Sequence, residues 1–111
     1  MINGDILVVL VTVPSIEEGW TIARALVTER LAACVNLVPE IRSVFFWEGA
    51  VQEAAEALLV IKTRRERYEA LQRRVLELHT YSVPEVLALP VAAGSPPYLA
   101  WVGETVSMEG R

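Results

Sequence analysis

The run Ile6-Leu7-Val8-Val9-Leu10-Val11-Thr12-Val13, stopped by Pro14, constrains this chain more than any other stretch. It is nearly continuous in apolar, largely β-branched residues and lacks the polar alternation of a strand with one face in water. Such a run reads as a strand buried on both faces, at the centre of a sheet. It is far too short to span a bilayer. The rest of the chain must therefore supply cover for two sheet faces.

Ser15 followed by Glu18 forms a capping box, and Ile16, Trp20, Ala23, Val27 and Leu31 then recur at helical spacing, predicting a first helix to about Leu31. From Ala33 to Thr63 the pattern turns extended: Cys34 to Val38, a break at Pro39, Ile41 to Trp47, and a return strand over Ala57 to Thr63. Glu48-Gly49 is the turn between two facing strands. Ala54-Ala55-Glu56 weakens the start of the return strand, because these residues prefer helix. Pro39 cannot donate to a ladder and marks a bulge or an edge.

A second helix follows over Arg64 to His79, with Tyr68, Leu71, Val75 and Leu78 on one face and Arg65, Glu69, Arg73 and Arg74 largely on the other. Pro84 lacks a backbone donor and pushes Val83 toward extended geometry, so it separates that helix from a short strand over Val86 to Leu89 with Val91, interrupted by Pro90 and ended by Gly94. Pro96-Pro97 suits the first turn of a last short helix through Trp101 and Val106. The order βαββαβ plus a short C-terminal helix is that of an α+β ferredoxin-like sandwich, one domain over residues 1–111, with its helices on one face. The other face still needs a cover. With 53% hydrophobic residues in 111, further copies of the chain are the natural one.

Charge and thiol content remove several functions. Ten Lys and Arg stand against fourteen Asp and Glu, a net charge of -4, and a nonspecific nucleic-acid binder needs a basic footprint instead. One cysteine, Cys34, rules out an internal disulfide and a Cys-x-x-Cys copper site. The first residues lack a basic n-region, which predicts a cytoplasmic protein rather than a secreted one. No Gly-x-Ser-x-Gly elbow, Gly-rich phosphate loop with an arginine, or ribonucleoprotein motif occurs. One histidine and one cysteine assemble no nucleophile with an orienting base, so no enzyme is expected.

His79, the sole histidine, sits at the junction of the second helix and the Pro84 segment. It reads either as a transition-metal ligand or general base, or as a helix C-terminal residue held by the dipole and local hydrogen bonds. Cys34, between Ala33 and Val35 on an apolar strand, reads as a buried, inert thiol or as a ligand or nucleophile. Lys62 and Glu85 are charges at sheet ends that either pair structurally or make an anion or cation contact in a cleft, and Trp47, Tyr81 and Trp101 read as packing and interface residues rather than a ligand cage.

The ordered set Thr28-Glu29-Arg30-Leu31-Ala32-Ala33-Cys34-Val35-Asn36, Phe46-Trp47-Glu48-Gly49, Ile61-Lys62-Thr63, His79-Thr80-Tyr81-Ser82-Val83-Pro84-Glu85, Leu89-Pro90-Val91 and Tyr98-Leu99-Ala100-Trp101 resembles the CutA divalent-cation tolerance proteins over nearly the whole chain. The resemblance implies a cytoplasmic homotrimer of ferredoxin-like subunits, linked to tolerance of copper and other divalent cations, with no cofactor required. It carries a metal-ligand role to His79 and, secondarily, to Cys34, with Glu85 as a carboxylate that could help complete the shell. The trimer is also similar to that of PII-like signalling proteins. That implies a rival role, binding a small anionic ligand or a protein partner in an inter-subunit cleft near Lys62, Tyr81 and Glu85. Some members carry a cysteine where Val11 stands and a histidine where Leu78 stands. Two ligands per subunit are too few for a tight thiol-and-imidazole site unless symmetry, carboxylates or water complete the shell.

Overall fold

The computed structural model describes residues 5–108. Strand β1 (Ile6–Val13) is followed by helix α1 (Ile16–Thr28), strands β2 (Cys34–Trp47) and β3 (Ala50–Arg64), a 3-10 turn over Arg65–Arg67, helix α2 (Tyr68–Leu78), strand β4 (Val86–Pro90) and helix α3 (Pro96–Thr105). The four strands form one antiparallel sheet in the order β2-β3-β1-β4. The apolar run is thus an inner strand, paired with β3 on one side and β4 on the other.

Because side chains alternate across a strand, β1 and β3 each send one set to the helical layer. Val9, Val11, Val13, Leu59 and Ile61 are fully buried there against Ile22 and Leu26 of α1 and Leu71 and Val75 of α2. The opposite face is less covered. Helix α3 closes one end of it, where Leu99, Val102 and Val106 pack on Ile6 and Ala33. Beyond that end Val8 and Leu10 are only half-buried, and Val38, Leu87 and Leu89 are exposed. Burial of β1 on both faces therefore holds fully only on the helical side.

Helix α1 departs from its expected stripe. Ile16, Trp20 and Val27 are exposed, while Gly19, Ile22, Ala23 and Leu26 form the buried face. Gly19 lets the helix approach the sheet: a Cβ there would stand 2.8 Å from Leu37 Cδ1 and 3.3 Å from Val13 Cγ2. The helix stops at Thr28 rather than Leu31, because Arg30 turns left-handed (φ 62°). Leu31 N–H then reaches Leu26 O at 2.8 Å and Arg30 N–H reaches Val27 O at 3.0 Å, a Schellman-like closure without glycine. Buried Arg67 completes it, donating from Nε and Nη2 to Arg30 O at 3.1 and 3.0 Å.

The β2–β3 hairpin turns on Glu48 (φ 52°) and Gly49 (φ 81°), the two left-handed residues that a two-residue hairpin loop requires. Pro39 falls at the register shift between Val38 and Ile41, as its missing donor predicts. Ala54-Ala55-Glu56 lies inside β3, where pairing with β2 outweighs helix preference. The hairpin's far half projects from the body, leaving Val44, Phe46 and Val51 about two-thirds exposed and stretching the molecule to 47 × 26 × 22 Å.

Loss of the Arg67 guanidinium leaves the Arg30 carbonyl without its charged donors. Arg67→Ala is expected to lower stability by about 2 kcal/mol, read as a shift in the urea unfolding midpoint with unchanged slope.

Candidate functional site

His79 caps α2 in extended geometry (φ -78°, ψ 142°), and its N–H still reaches Val75 O at 2.8 Å. Its ring is buried. Nε2 lies 2.7 Å from the Thr12 carbonyl oxygen, which can only accept, so Nε2 carries the proton. Nδ1 accepts the Tyr81 N–H at 3.1 Å and stands 3.4 Å from Glu18 Oε2. The imidazole therefore bolts the end of α2 to β1 and shapes the segment that follows.

Glu18 is the second anchor of that segment. Ser15 Oγ accepts the Glu18 N–H at 3.1 Å, so the N-cap forms as its spacing predicts. The glutamate side chain completes no reciprocal box; its carboxylate accepts the Thr80 N–H at 3.0 Å and Oγ1–H at 2.9 Å. Tyr81 makes the third link, with its ring centroid 4.8 Å from that of His79 and its hydroxyl donating to Glu56 Oε2 at 2.8 Å. Burial, and then the Glu56 carboxylate that the hydroxyl binds, push the Tyr81 phenol up to about 12. It stays protonated and a donor at neutral pH.

Between this segment and the projecting hairpin lies an open cleft of about 640 Å3, whose lining includes Thr12, Phe45, Trp47, Glu56, Tyr81 and Glu85. Tyr81 and exposed Glu85 thus line one cleft within a single chain. Lys62 does not join them. It pairs with Val8 across β1, whereas Thr12 pairs with Leu58, a separation of four strand positions, or roughly 13 Å. Its ammonium donates to Asn36 Oδ1 and to Val60 O. Cys34 sits directly opposite Lys62 in the β2–β3 register. The thiol lies beside Tyr98, whose hydroxyl is held above its ordinary range first by burial and then by Cys34.

One chain therefore places Cys34 and His79 at different ends of the sheet. Among the described residues no group of three or more His, Cys, Asp and Glu side chains converges on one metal position. His79 Nδ1 and Glu18 Oε2, 3.4 Å apart, make a pair and no more. Local pattern assigns Glu18 only a capping role and passes over Glu56, since Ala54-Ala55-Glu56 carries a helical preference. Nothing local signals that these carboxylates meet the segment after α2.

The element order and strand order define a ferredoxin-like α+β sandwich, here with a cleft at the hairpin end of the sheet. A family model described as CutA1 divalent ion tolerance protein matches residues 7–105. The chain belongs to this CutA1 family. It is 54% identical over 97 residues to the divalent-cation tolerance protein CutA of Thermus thermophilus, covering 87% of this chain and 94% of that one. A solved structure of the divalent cation tolerance protein Cut A1, also from Thermus thermophilus, superimposes with a TM-score of 0.88 at 52% identity, over 90% of this chain and 97% of that one. The chain is 52% identical over 96 residues to a chloroplastic CutA protein of Oryza sativa, covering 86% of this chain but only 54% of that longer protein. A periplasmic divalent cation tolerance protein CutA from Archaeoglobus fulgidus matches at a TM-score of 0.88 and 38% identity, over 91% and 98% of the two chains.

Two measurements check the role of these contacts. His79→Ala strands the Thr12 carbonyl and the Tyr81 N–H and is expected to cost about 2 kcal/mol, read by urea unfolding. The raised Tyr81 phenol contributes stability that is present below its unfolded value near pH 10 and lost as pH rises through about 12. Tyr81→Phe should remove that alkaline contribution, together with one late-ionising component of the tyrosinate absorbance titration.

Proposed function

We propose that the protein serves divalent-cation tolerance as a cytoplasmic homotrimer, without catalysis and without a required cofactor, and that it binds copper or another divalent cation weakly. Family membership supports the tolerance role, and a lone half-buried thiol suits a reducing compartment. No helix among the described residues is long and apolar enough to cross a membrane. The uncovered sheet face supports self-association: Val38, Leu87 and Leu89 stand exposed beside half-buried Val8 and Leu10, an apolar surface of the kind that oligomers bury.

The observation that carries the metal reading is the 3.4 Å approach of His79 Nδ1 to Glu18 Oε2. An imidazole lone pair and a carboxylate side by side are two donors that copper accepts. To use them, His79 gives up the Tyr81 N–H and Glu18 loosens its hold on Thr80, and that cost makes the affinity weak. Cys34 and Glu85 lie outside this pair and serve as ligands only where a neighbouring subunit brings them to an ion. The acidic lining around Tyr81 and Glu85, with Lys62 remote, gives the PII-like anionic-ligand reading no support within one chain.

Copper titrated calorimetrically into wild type and His79→Ala tests the metal reading. Wild type is expected to bind weakly and the variant about tenfold more weakly still; equal binding removes His79 from the site. Leu87→Glu with Leu89→Glu tests the assembly. Sedimentation should give a trimer for wild type and smaller species for the double variant.

A further inference from the structure

The cleft beside Tyr81 has a chemistry that the tolerance role leaves unused. Two of its walls are aromatic: Phe45 and Trp47 on the projecting hairpin and Tyr81 on the segment after α2. Its charge is of one sign. Glu56 and Glu85 line it and no Lys, Arg or His does. Glu56 is 8% exposed, deep for a carboxylate, and its Oε2 accepts from the Tyr81 hydroxyl. A neutral donor leaves the charge of that carboxylate uncompensated, and a buried anion favours a cationic neighbour.

A bare dication fits this lining poorly. Hard cations take six or more oxygens, whereas here two carboxylates stand on different walls and one is already engaged by Tyr81. An anion is opposed by both charges. An alkylammonium group matches instead, because its methylenes or methyls can leave water against ring faces while its charge is drawn to the rings and to the carboxylates. Size agrees as well, since about 640 Å3 lies within the range of small-molecule sites.

We infer that the cleft between the β2–β3 hairpin and the 79–85 segment binds a small organic cation, an alkyl or quaternary amine, with Phe45, Trp47 and Tyr81 as its walls and Glu56 and Glu85 as its counter-charges. The site adjoins the His79–Glu18 pair through Tyr81, whose ring centroid stands 4.8 Å from that of His79, but its counter-charges are other carboxylates. It explains why the hairpin carries Trp47 toward the segment after α2, and it reverses the charge of ligand that Lys62 would have suggested.

Calorimetric titration of the full-length protein with choline chloride tests this, run beside sodium phosphate, magnesium chloride and sodium chloride at matched ionic strength. Choline is expected to bind saturably, and the two inorganic cations and phosphate are not. Trp47→Leu and Glu85→Gln alter exposed positions and should each weaken choline about fivefold with unchanged unfolding midpoints; Glu56→Gln, which keeps the shape, should weaken it at least as much. Absence of choline binding, phosphate binding in its place, or choline affinity unchanged in all three variants would overturn the proposal. Magnesium binding as tight as choline and insensitive to Trp47→Leu would overturn it too, by making the cleft a plain carboxylate site.

Discussion

The structure depends on β1 being paired on both edges. Its eight residues hydrogen-bond to β3 along the whole length and to β4 over Leu7 to Val11, so every other layer is positioned against it. Hydrophobic burial follows from that pairing. Val9, Val11 and Val13 present one continuous surface on which α1 and α2 settle, and such burial is the main favourable term in folding. The same strand offers Val8 and Leu10 to the other side, where α3 covers only one end. A fold that places its most apolar strand in the middle therefore leaves one sheet face only partly covered, and this is the face on which the proposed self-association rests.

The candidate site residues His79 and Tyr81 collect where β1 ends. The Thr12 carbonyl receives the His79 imidazole, and from there the 79–85 segment is held by Glu18 on α1 and Glu56 on β3. Three separate elements thus grip a stretch that has no regular secondary structure of its own. Local hydrogen bonding alone would leave such a segment loose. Held in this way it forms one wall of a cleft, and the overlong β2–β3 hairpin forms the other. The polar links around His79 are consequently structural first, and any ligand that recruits them must compete with the bonds already made.

Much of this is legible in the sequence, element by element. The bounds of β1, the Ser15 cap, the bulge at Pro39, the Glu48-Gly49 turn and the Pro96-Pro97 helix start all rest on short-range chemistry and appear where that chemistry puts them. The α1 stripe misleads because Ile16, Trp20 and Val27 are apolar at helical spacing, yet the face next to them carries Gly19, and close approach to Leu37 and Val13 selects that face. The Leu31 boundary fails for a related reason. Arg30 adopts a left-handed turn that is uncommon for arginine, and Arg67, distant in sequence, satisfies the carbonyl this leaves.

By itself the sequence determined the strand and helix order, the position of β1 at the centre, the family, and the surplus of apolar residues that points to partners. These depend on periodicity, turn chemistry and composition, which act over a few residues or over the chain as a whole. Only the tertiary structure decided which candidate residues share a site. It joined Tyr81 and Glu85 with Glu56 and Trp47, gave His79 to Thr12 and Glu18, and left Cys34 and Lys62 together at the other end of the sheet. The physical reason is strand register. A shift of a few residues along an antiparallel ladder moves a side chain by its own length or more, and register is set by the summed packing of the sheet rather than by the residues of the site.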